Sequence, residues 1–251
     1  MQEILDLYHY FDTVLPHRFN PRDWTHDYRN SEPVPMLVLD DFLPDNVFQR
    51  LHQESKEIPE YLWTKFTRNN SNMKECKTFS QSPVLKTLSH CFNSGPFITW
   101  LEALTQKINV IPDPHLIGAG LSRCHQGNSL KLHTDFNWND ELHLNRTLSM
   151  ILYINPEWNP DWGGALEFWD FDKTKCVAKV EPRPNRLLLW NYDERLIHGY
   201  PDPLQCPEDQ HRLNMRMFYY TSNGTPVSPP HRSLYWWDDV NKVPVDNRAQ
   251  T

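Results

Sequence analysis

Leu130-Lys131-Leu132-His133-Thr134-Asp135 is the stretch that decides how this chain of 251 residues is interpreted. It has the character of a short β-strand that brings two metal-binding side chain types close together. His133 and Asp135 are two positions apart, and positions i and i+2 of a strand point the same way, so both can reach one ion. A second histidine, His198, comes far enough along the chain to return on another strand. The sequence therefore predicts a metal site built from these three residues.

The ligand set suggests which metal. Two imidazoles and one carboxylate hold Fe(II) on one face and leave the other face open for substrate and O₂. With 12 His and 32 Asp+Glu in the chain, a His-x-Asp pair alone is weak evidence. The strand-like run Arg-Leu-Asn-Met-Arg-Met-Phe-Tyr-Tyr at 212–220 strengthens it. Arg212 can bind a carboxylate through two parallel charge-assisted hydrogen bonds, which is what a 2-oxo acid cosubstrate requires.

The segment from about Met36 to Thr221 resembles the prolyl-4-hydroxylase type of the 2-oxoglutarate/Fe(II)-dependent oxygenases. The resemblance lies in six stretches that occur in the family's order: His133-Thr134-Asp135-Phe136-Asn137, Tyr153-Ile154-Asn155-Pro156-Glu157-Trp158, Trp162-Gly163-Gly164-Ala165-Leu166-Glu167-Phe168, Asn185-Arg186-Leu187-Leu188-Leu189-Trp190, His198-Gly199-Tyr200-Pro201 and Arg212 to Tyr220. It implies a mainly β fold with flanking helices, the double-stranded β-helix, a jelly-roll and cupin-like barrel.

The resemblance also implies roles for individual residues. His133, Asp135 and His198 match the iron ligands of the family. Arg212 matches the residue that binds the 5-carboxylate of 2-oxoglutarate, and Tyr153 matches a tyrosine that hydrogen-bonds the same cosubstrate. The implied cofactors are Fe(II), 2-oxoglutarate and O₂, with ascorbate as an optional addition. The implied reaction is hydroxylation of an unactivated C–H, with decarboxylation of 2-oxoglutarate to succinate.

Arg216 departs from the family pattern, which usually has a small residue at this position. On a regular strand Arg212 and Arg216 point the same way, so Arg216 also enters the barrel, where an unpaired cation is costly. One hypothesis is that Arg216 contacts an anion near the iron, either the 1-carboxylate of 2-oxoglutarate or a substrate carboxylate. The alternative is an ion pair with a barrel acid such as Glu167, or a bulge that turns Arg216 outward.

The substrate is less constrained by the sequence than the cofactors. We expect a small-molecule or amino-acid-type substrate, because no peptide-recognition module is evident beside the barrel. A peptidyl-proline 4-hydroxylase is the alternative within the family. A non-catalytic, cupin-like metal-binding protein is an alternative of another class, and a hydrolytic zinc enzyme is a third. Neither of these two would need Arg212 and Tyr153 to bind a cosubstrate.

The composition limits which cellular compartment and which binding partners are expected for the protein. A net charge of −7 argues against a nucleic-acid partner, which needs a basic surface. Residues 1–15 lack the basic and apolar regions of a signal peptide, and no stretch is long and apolar enough to predict a membrane span. The five cysteines are scattered without Cys-x-x-Cys spacing, which is typical of reduced thiols in a cytoplasmic protein. The sequence leaves the oligomeric state open.

We expect one oxygenase domain over residues 1–251. It divides into an N-terminal extension (1–35), a strand plus outer helices (36–112), the catalytic barrel (113–221) and a C-terminal extension (222–251). A short amphipathic helix is predicted through Ile4, Leu5, Tyr8, Phe11 and Leu15, followed by a loop rich in Pro and Asn. Further helices are predicted at 44–56, 84–92 and 96–108, the last with Ile108 on its apolar face. Asn185–Asn191 and Leu196–Tyr200 are expected to form a hairpin that delivers His198.

Overall fold

The computed structural model describes residues 1–66, 73–79, 81–236 and 244–245. Its strands, in chain order, are β1 (Met36–Leu39), β2 (Thr64–Phe66), β3 (Met73–Cys76), β4 (Ile111–Pro112), β5 (Gly120–Cys124), β6 (Leu130–Thr134), β7 (Trp138–Asn139), β8 (Leu144–Tyr153), β9 (Leu166–Trp169), β10 (Cys176–Val180), β11 (Leu187–Asn191), β12 (Ile197–Tyr200), β13 (Arg212–Thr221), β14 (Leu234–Trp236) and β15 (Pro244–Val245).

These strands form two antiparallel sheets that pack face to face. The larger sheet has the order β1-β11-β8-β13-β5-β3-β2, with β4 added to β13 and β7 added to β8. The smaller sheet has the order β10-β9-β12-β6-β14-β15. One apolar cluster takes Ile151 and Trp190 from the larger sheet and Phe168 and Tyr200 from the smaller one. Neighbours in each sheet are mostly distant in sequence, which is the jelly-roll arrangement of a double-stranded β-helix. The expected fold class is confirmed.

The central strands β8 and β13 divide their side chains between two environments. Leu148, Met150 and Leu152 of β8 pack with the helices on the outer face of the larger sheet, as do alternate residues of β13. Ile151 and Tyr153 point to the interior between the sheets. Every residue of β8 is buried, because helices cover one face and the second sheet covers the other.

The helices are α1 (Gln2–His9), α2 (Leu15–Arg18), α3 (Pro21–Asn30), α4 (Asp45–Glu57), α5 (Pro83–Phe92) and α6 (Gly95–Thr105). A π-helical turn at Tyr10–Val14 joins α1 to α2. The core against the larger sheet is strongly aromatic. The Phe97 ring lies 5.5 Å from Phe11, 5.1 Å from Phe92 and 6.2 Å from Tyr219, measured between ring centroids.

The N-terminal helices differ from the prediction in two ways. Leu5 and Tyr8, expected on the buried face, are 56% and 51% exposed, because Leu7 and Tyr10 occupy that face. The predicted loop after residue 15 contains α3. Its signal was present in the sequence: the Asn20 side chain caps the helix by accepting a hydrogen bond from the Arg22 amide at 3.1 Å, and Pro21 occupies the first turn.

Two further predictions were wrong in detail. Helix α6 ends at Thr105 because Gln106 adopts a left-handed conformation with φ of 57°, and Ile108 is 77% exposed instead of lying on a buried face. Residues 185–191 and 196–200 do not form a hairpin. β11 pairs with β1 and β8 in the larger sheet, whereas β12 pairs with β6 and β9 in the smaller sheet. The chain between them crosses from one sheet to the other.

Strands from outside residues 113–221 also join the sheets. β1, β2 and β3 extend the larger sheet, and β14 pairs with β6 in the smaller one. The division of the chain into a barrel with two extensions stays a prediction. Across the parts of the chain that the structure describes, none of the helices combines the length and the apolar character that a membrane span requires.

The aromatic core generates the first prediction. Phe97 is fully buried, so Phe97→Ala leaves a cavity and is expected to lower the free energy of unfolding by about 3–5 kcal/mol. Leu5→Ala, at an exposed position of α1, is the control and is expected to change it by less than about 0.5 kcal/mol. Urea denaturation of both variants measures the difference. Equal effects would contradict the packing described here.

Candidate active site

Two adjacent strands of the smaller sheet bring three potential metal ligands together. His133 on β6 lies directly opposite His198 on β12 in the antiparallel register. The Nε2 atom of His133 is 3.5 Å from Asp135 Oδ1, and the Nε2 atom of His198 is 3.4 Å from Asp135 Oδ2. One potential ligand atom from each residue lies within 4.8 Å of the others. The three side chains therefore converge on one point through two imidazole nitrogens and a carboxylate.

The surroundings of the two histidines hold their rings in place. The Nδ1 atom of His133 is 2.8 Å from the Lys131 carbonyl oxygen, which leaves Nε2 to face Asp135. The His198 ring is stacked on Phe168 at 6.0 Å and lies 5.7 Å from the Trp190 ring. Burial lowers the pKa of His198 to about 3, so its imidazole is neutral at physiological pH. A neutral imidazole is the form that binds a metal ion.

Arg146 holds the carboxylate of the triad. Its Nη2 atom donates to Asp135 Oδ2 at 2.8 Å and to the Ser149 hydroxyl at 2.9 Å. Burial by itself would raise the pKa of Asp135, but the charge of Arg146 and the contacts with His198 and His133 outweigh burial, so this pKa lies well below its ordinary value. The guanidinium also lies over the ring of Phe218, 3.5 Å from its centroid.

Sequence reasoning missed the role of Arg146. Strict alternation would place it with Leu148 and Met150 on the helix-covered face of β8. The register shifts instead. Tyr219 and Tyr220 of β13 pair with Leu148 and Arg146, so Thr147 between them has no pairing partner on β13. This irregularity turns Arg146 to the interior. The available signal was a basic residue within a strand that is otherwise uncharged, because a buried charge needs a partner.

Arg212 lies in the same interior, with Tyr153 beside it. Arg212 is 3% exposed. Its Nε donates to the Gly164 carbonyl at 2.8 Å and its Nη2 donates to the Tyr153 hydroxyl at 3.2 Å. The ring of Tyr200 lies 4.4 Å from the guanidinium carbon. The structure thus brings Arg212 and Tyr153 together, as the sequence predicted for a carboxylate site.

The charge of Arg212 is not balanced by an acid. The buried cations Arg146 and Arg186 pair with Asp135 and Asp40, at 2.8 and 2.5 Å. Within the described residues, no acidic side chain lies within 4.0 Å of Arg212, whose side-chain partners are neutral. A buried cation is costly without a counter-charge, so this position suits an anionic group of a bound molecule.

A cavity of about 680 Å³ opens beside His133 and Asp135, two of the three potential ligands. His133, Asp135, Phe218 and Arg216 line it, whereas Arg212 and Tyr153 do not. Leu130 lies between the cavity and the Arg212 site. It lines the cavity and pairs across the sheet with Tyr200, whose ring lies against the Arg212 guanidinium. The cavity volume falls within the range of small-molecule sites.

Arg216 points into this cavity and forms an ion pair there. Its Nη2 atom donates to Glu75 Oε1, and the side chains are only 18% and 15% exposed. Burial opposes the charged form, but the contact with Glu75 more than compensates, so the pKa of Arg216 is raised. Glu167 was the example of an acidic partner for Arg216 in the sequence-based alternative. It forms an ion pair with Lys179 instead, at 2.6 Å. Glu75 lies in a short polar strand with no signal for this role.

The residues present fit a divalent iron ion. Both Nε2 atoms face the carboxylate, all three residues are largely buried, and the cavity leaves one side of the triad accessible. That is the arrangement in which two histidines and one carboxylate bind one face of Fe(II). His133, Asp135 and His198 are thus the residues that could hold a metal, and Arg212 is the residue that could hold an anionic cosubstrate.

The contact between Gly164 and Arg212 is testable by adding one methyl group. A Cβ at Gly164 would lie 2.6 Å from Leu204 Cδ2 and 3.1 Å from Arg212 Cδ, whereas nothing lies within 4 Å of a Cβ at Gly163. Both glycines have positive φ, at 77° and 74°, so alanine strains either backbone similarly. Gly164→Ala is expected to lower the free energy of unfolding by about 1–3 kcal/mol more than Gly163→Ala, measured by urea denaturation. Equal losses would contradict the close approach.

The Arg146–Asp135 pair is testable by a double-mutant cycle. Arg146→Met leaves a buried carboxylate without its partner and is expected to lower the free energy of unfolding of the metal-free protein by about 3–5 kcal/mol. Asp135→Asn in the same chain is expected to recover most of that loss, because it removes the unpaired charge. Chemical denaturation of the two single variants and the double variant measures the coupling. Additive losses would show that the pair does not act as a unit.

Comparisons with known proteins agree with this geometry. The model of the 2OG-Fe(II) oxygenase superfamily matches residues 119–220, which contain all three potential metal ligands and Arg212. Among curated proteins, the chain is similar to the mouse (Mus musculus) protein Prolyl 3-hydroxylase OGFOD1, with 27% identity over 129 residues. This match covers 44% of the chain and 23% of the mouse protein, so the chain spans about a quarter of that relative's length.

Solved structures show the same fold at low sequence identity. A Trichoplax adhaerens prolyl hydroxylase, in complex with a peptide fragment of the hypoxia inducible factor oxygen degradation domain, is 19% identical with a TM-score of 0.59, covering 81% of this chain and 91% of its own. HygX from Streptomyces hygroscopicus, with nickel, 2-oxoglutarate and hygromycin B bound, is 12% identical with a TM-score of 0.52, covering 82% and 89%. Residues 119–220 of the chain thus match the 2OG-Fe(II) oxygenase superfamily, and the solved structures show that the chain shares their fold.

Proposed function

We propose that this protein is a 2-oxoglutarate- and Fe(II)-dependent dioxygenase that hydroxylates an unactivated C–H of a small-molecule or amino-acid-type substrate. In this proposal His133, Asp135 and His198 hold the iron. Arg212 binds the 5-carboxylate of 2-oxoglutarate, and the hydroxyl of Tyr153 provides a further hydrogen bond to it. The bound iron, with 2-oxoglutarate and O₂, supplies the oxidising chemistry that amino-acid side chains alone cannot.

The observation that carries this proposal is the unbalanced charge of Arg212. Other buried arginines have an acidic partner, whereas the partners of Arg212 are the Gly164 carbonyl and the Tyr153 hydroxyl. A carboxylate beside Arg212 would balance the charge and accept two parallel hydrogen bonds from the guanidinium. A metal-storage barrel or a hydrolytic zinc enzyme has no need for such a site beside the triad.

The surrounding residues contribute by fixing positions and excluding water. Arg146 orients the Asp135 carboxylate, and the Lys131 carbonyl fixes which nitrogen of His133 faces it. Phe168 and Trp190 enclose the His198 ring and keep that side of the site apolar. Interactions of this kind behind metal ligands set ligand geometry and basicity. The cavity beside the triad provides the space for the substrate.

Peptidyl proline is the second candidate substrate, and specific observations favour it. The mouse relative is named a prolyl 3-hydroxylase, and the Trichoplax enzyme is bound to a peptide fragment. HygX, which has the same fold, is instead bound to hygromycin B, a small molecule. A family fold accommodates both kinds of substrate, so the choice depends on the cavity itself. The buried ion pair between Arg216 and Glu75 in that cavity leads us to favour a small, charged substrate.

An anaerobic titration with Fe(II) and then 2-oxoglutarate tests the cofactor assignment. The wild-type protein is expected to show the weak visible charge-transfer band of the iron chelate of 2-oxoglutarate. His133→Ala should abolish the band, because it removes a metal ligand. Arg212→Leu should weaken the apparent affinity for 2-oxoglutarate by about 10- to 100-fold, since it removes charge-assisted hydrogen bonds.

Arg195→Leu is the control for this titration. Arg195 lies at the surface, its side chain 63% exposed, and pairs with Asp193, so the variant should bind 2-oxoglutarate like the wild type. Iron binding without a chelate band in the wild-type protein would contradict the oxygenase assignment. It would favour the metal-binding or zinc-enzyme alternative.

A further inference from the structure

We propose that the Arg216–Glu75 pair is the binding site for the charged end of a free α-amino acid. The substrate's carboxylate would contact Arg216 and its ammonium would contact Glu75. This inference rests on the proposed function, because it names the substrate class of the same cavity. It goes beyond that proposal by assigning a recognition site to two residues that the proposed function leaves without a specific role.

The position of Arg216 separates it from the cosubstrate site. Arg212 and Arg216 lie on the same face of β13, four residues apart, so their backbones are about 13 Å apart at the rise of a β-strand. Arg216 and Glu75 line the cavity together with His133 and Asp135, whereas Arg212 does not. The pair therefore lies on the substrate side of the metal site.

The two side chains retain unused hydrogen-bonding capacity. The buried Nε of Arg216 has no hydrogen-bond partner among the described residues, and the hydrogen bond to Glu75 comes from Nη2. A guanidinium offers five N–H donors in a planar fork, so it can hold Glu75 and a ligand carboxylate together. Glu75 uses Oε1 for Arg216, and its carboxylate can accept further hydrogen bonds from an ammonium group.

Charge balance selects the ligand class. Arg216 is already neutralised by Glu75, unlike Arg212. At this pair, a ligand with only a carboxylate would place two carboxylates on the single guanidinium of Arg216, and one with only an ammonium would place two cations on the single carboxylate of Glu75. A zwitterion adds none and completes an alternating arrangement of four charges. Free α-amino acids carry both groups on one carbon, whereas a proline inside a peptide carries neither.

Binding to the metal-free, full-length protein tests the inference without relying on turnover. Each of the twenty L-α-amino acids is screened by thermal shift, and those that stabilise the protein are titrated by calorimetry. At least one is expected to bind. Its N-acetyl and its C-terminal amide derivatives are each expected to bind at least about 10-fold more weakly, because each removes one charge-assisted contact.

Two double variants show whether the Arg216–Glu75 ion pair is responsible for amino-acid binding. Arg216→Gln with Glu75→Gln keeps the size and removes both charges, so amino-acid binding should be lost while the 2-oxoglutarate chelate band is retained. Lys179→Gln with Glu167→Gln neutralises an ion pair outside the cavity lining and should leave binding unchanged.

The other outcomes overturn the inference. These are the absence of binding by all twenty amino acids, equal binding by the blocked derivatives, and equal binding by the neutral Arg216–Glu75 variant. Binding of a peptide with an internal proline, without binding of any free amino acid, would favour peptidyl proline instead. A missing chelate band would contradict the proposed function, and the binding measurement distinguishes that failure from a failure of this inference.

Discussion

The two-residue period of β8 and β13 is the constraint on which the rest of the structure depends. One face of each strand packs under the helices through Leu148, Met150 and the alternate residues of β13. The opposite face is therefore free to present polar groups between the sheets, among them Arg212 and Arg216. A shift of one residue in the pairing would exchange the two faces. The helix layer thus fixes the register that directs both arginines inward.

The three arginines between the sheets differ in how their charges are balanced. Arg146 is balanced by a carboxylate of the triad, Arg216 is balanced by Glu75, and the partners of Arg212 are neutral. Since isolated charges are unstable in a low-dielectric interior, these differences indicate what each position can accept. A position with an unbalanced cation suits an anion, and a position with a complete ion pair suits a dipolar group. The interior is thereby divided into regions with distinct chemical preferences.

The features that the sequence predicted depend on local patterns. His133 lies near the end of β6 and Asp135 directly follows that strand, and Arg212 and Tyr153 point inward by simple alternation, so the convergence of each pair followed from the strand period. The role of Arg146 depends on a register shift that appears only when β8 pairs with β13. Glu75 was missed because β3 meets the barrel through β5, a pairing between distant segments. The predicted hairpin failed for a related reason, because β11 and β12 follow each other in sequence but belong to different sheets.

The pairing of β14 with β6 links the C-terminal segment to the strand that carries His133. Tyr235 lies opposite His133 in this pairing, and its ring is stacked on the His133 ring at 4.9 Å. Without β14, the backbone N–H and C=O groups of β6 on that side would form an open edge, which is prone to pair with other chains. Local opening of the segment and occupancy of the metal site are therefore thermodynamically linked. A ligand that orders His133 should also slow hydrogen exchange of the β14 amides, and proteolytic removal of the segment should favour self-association.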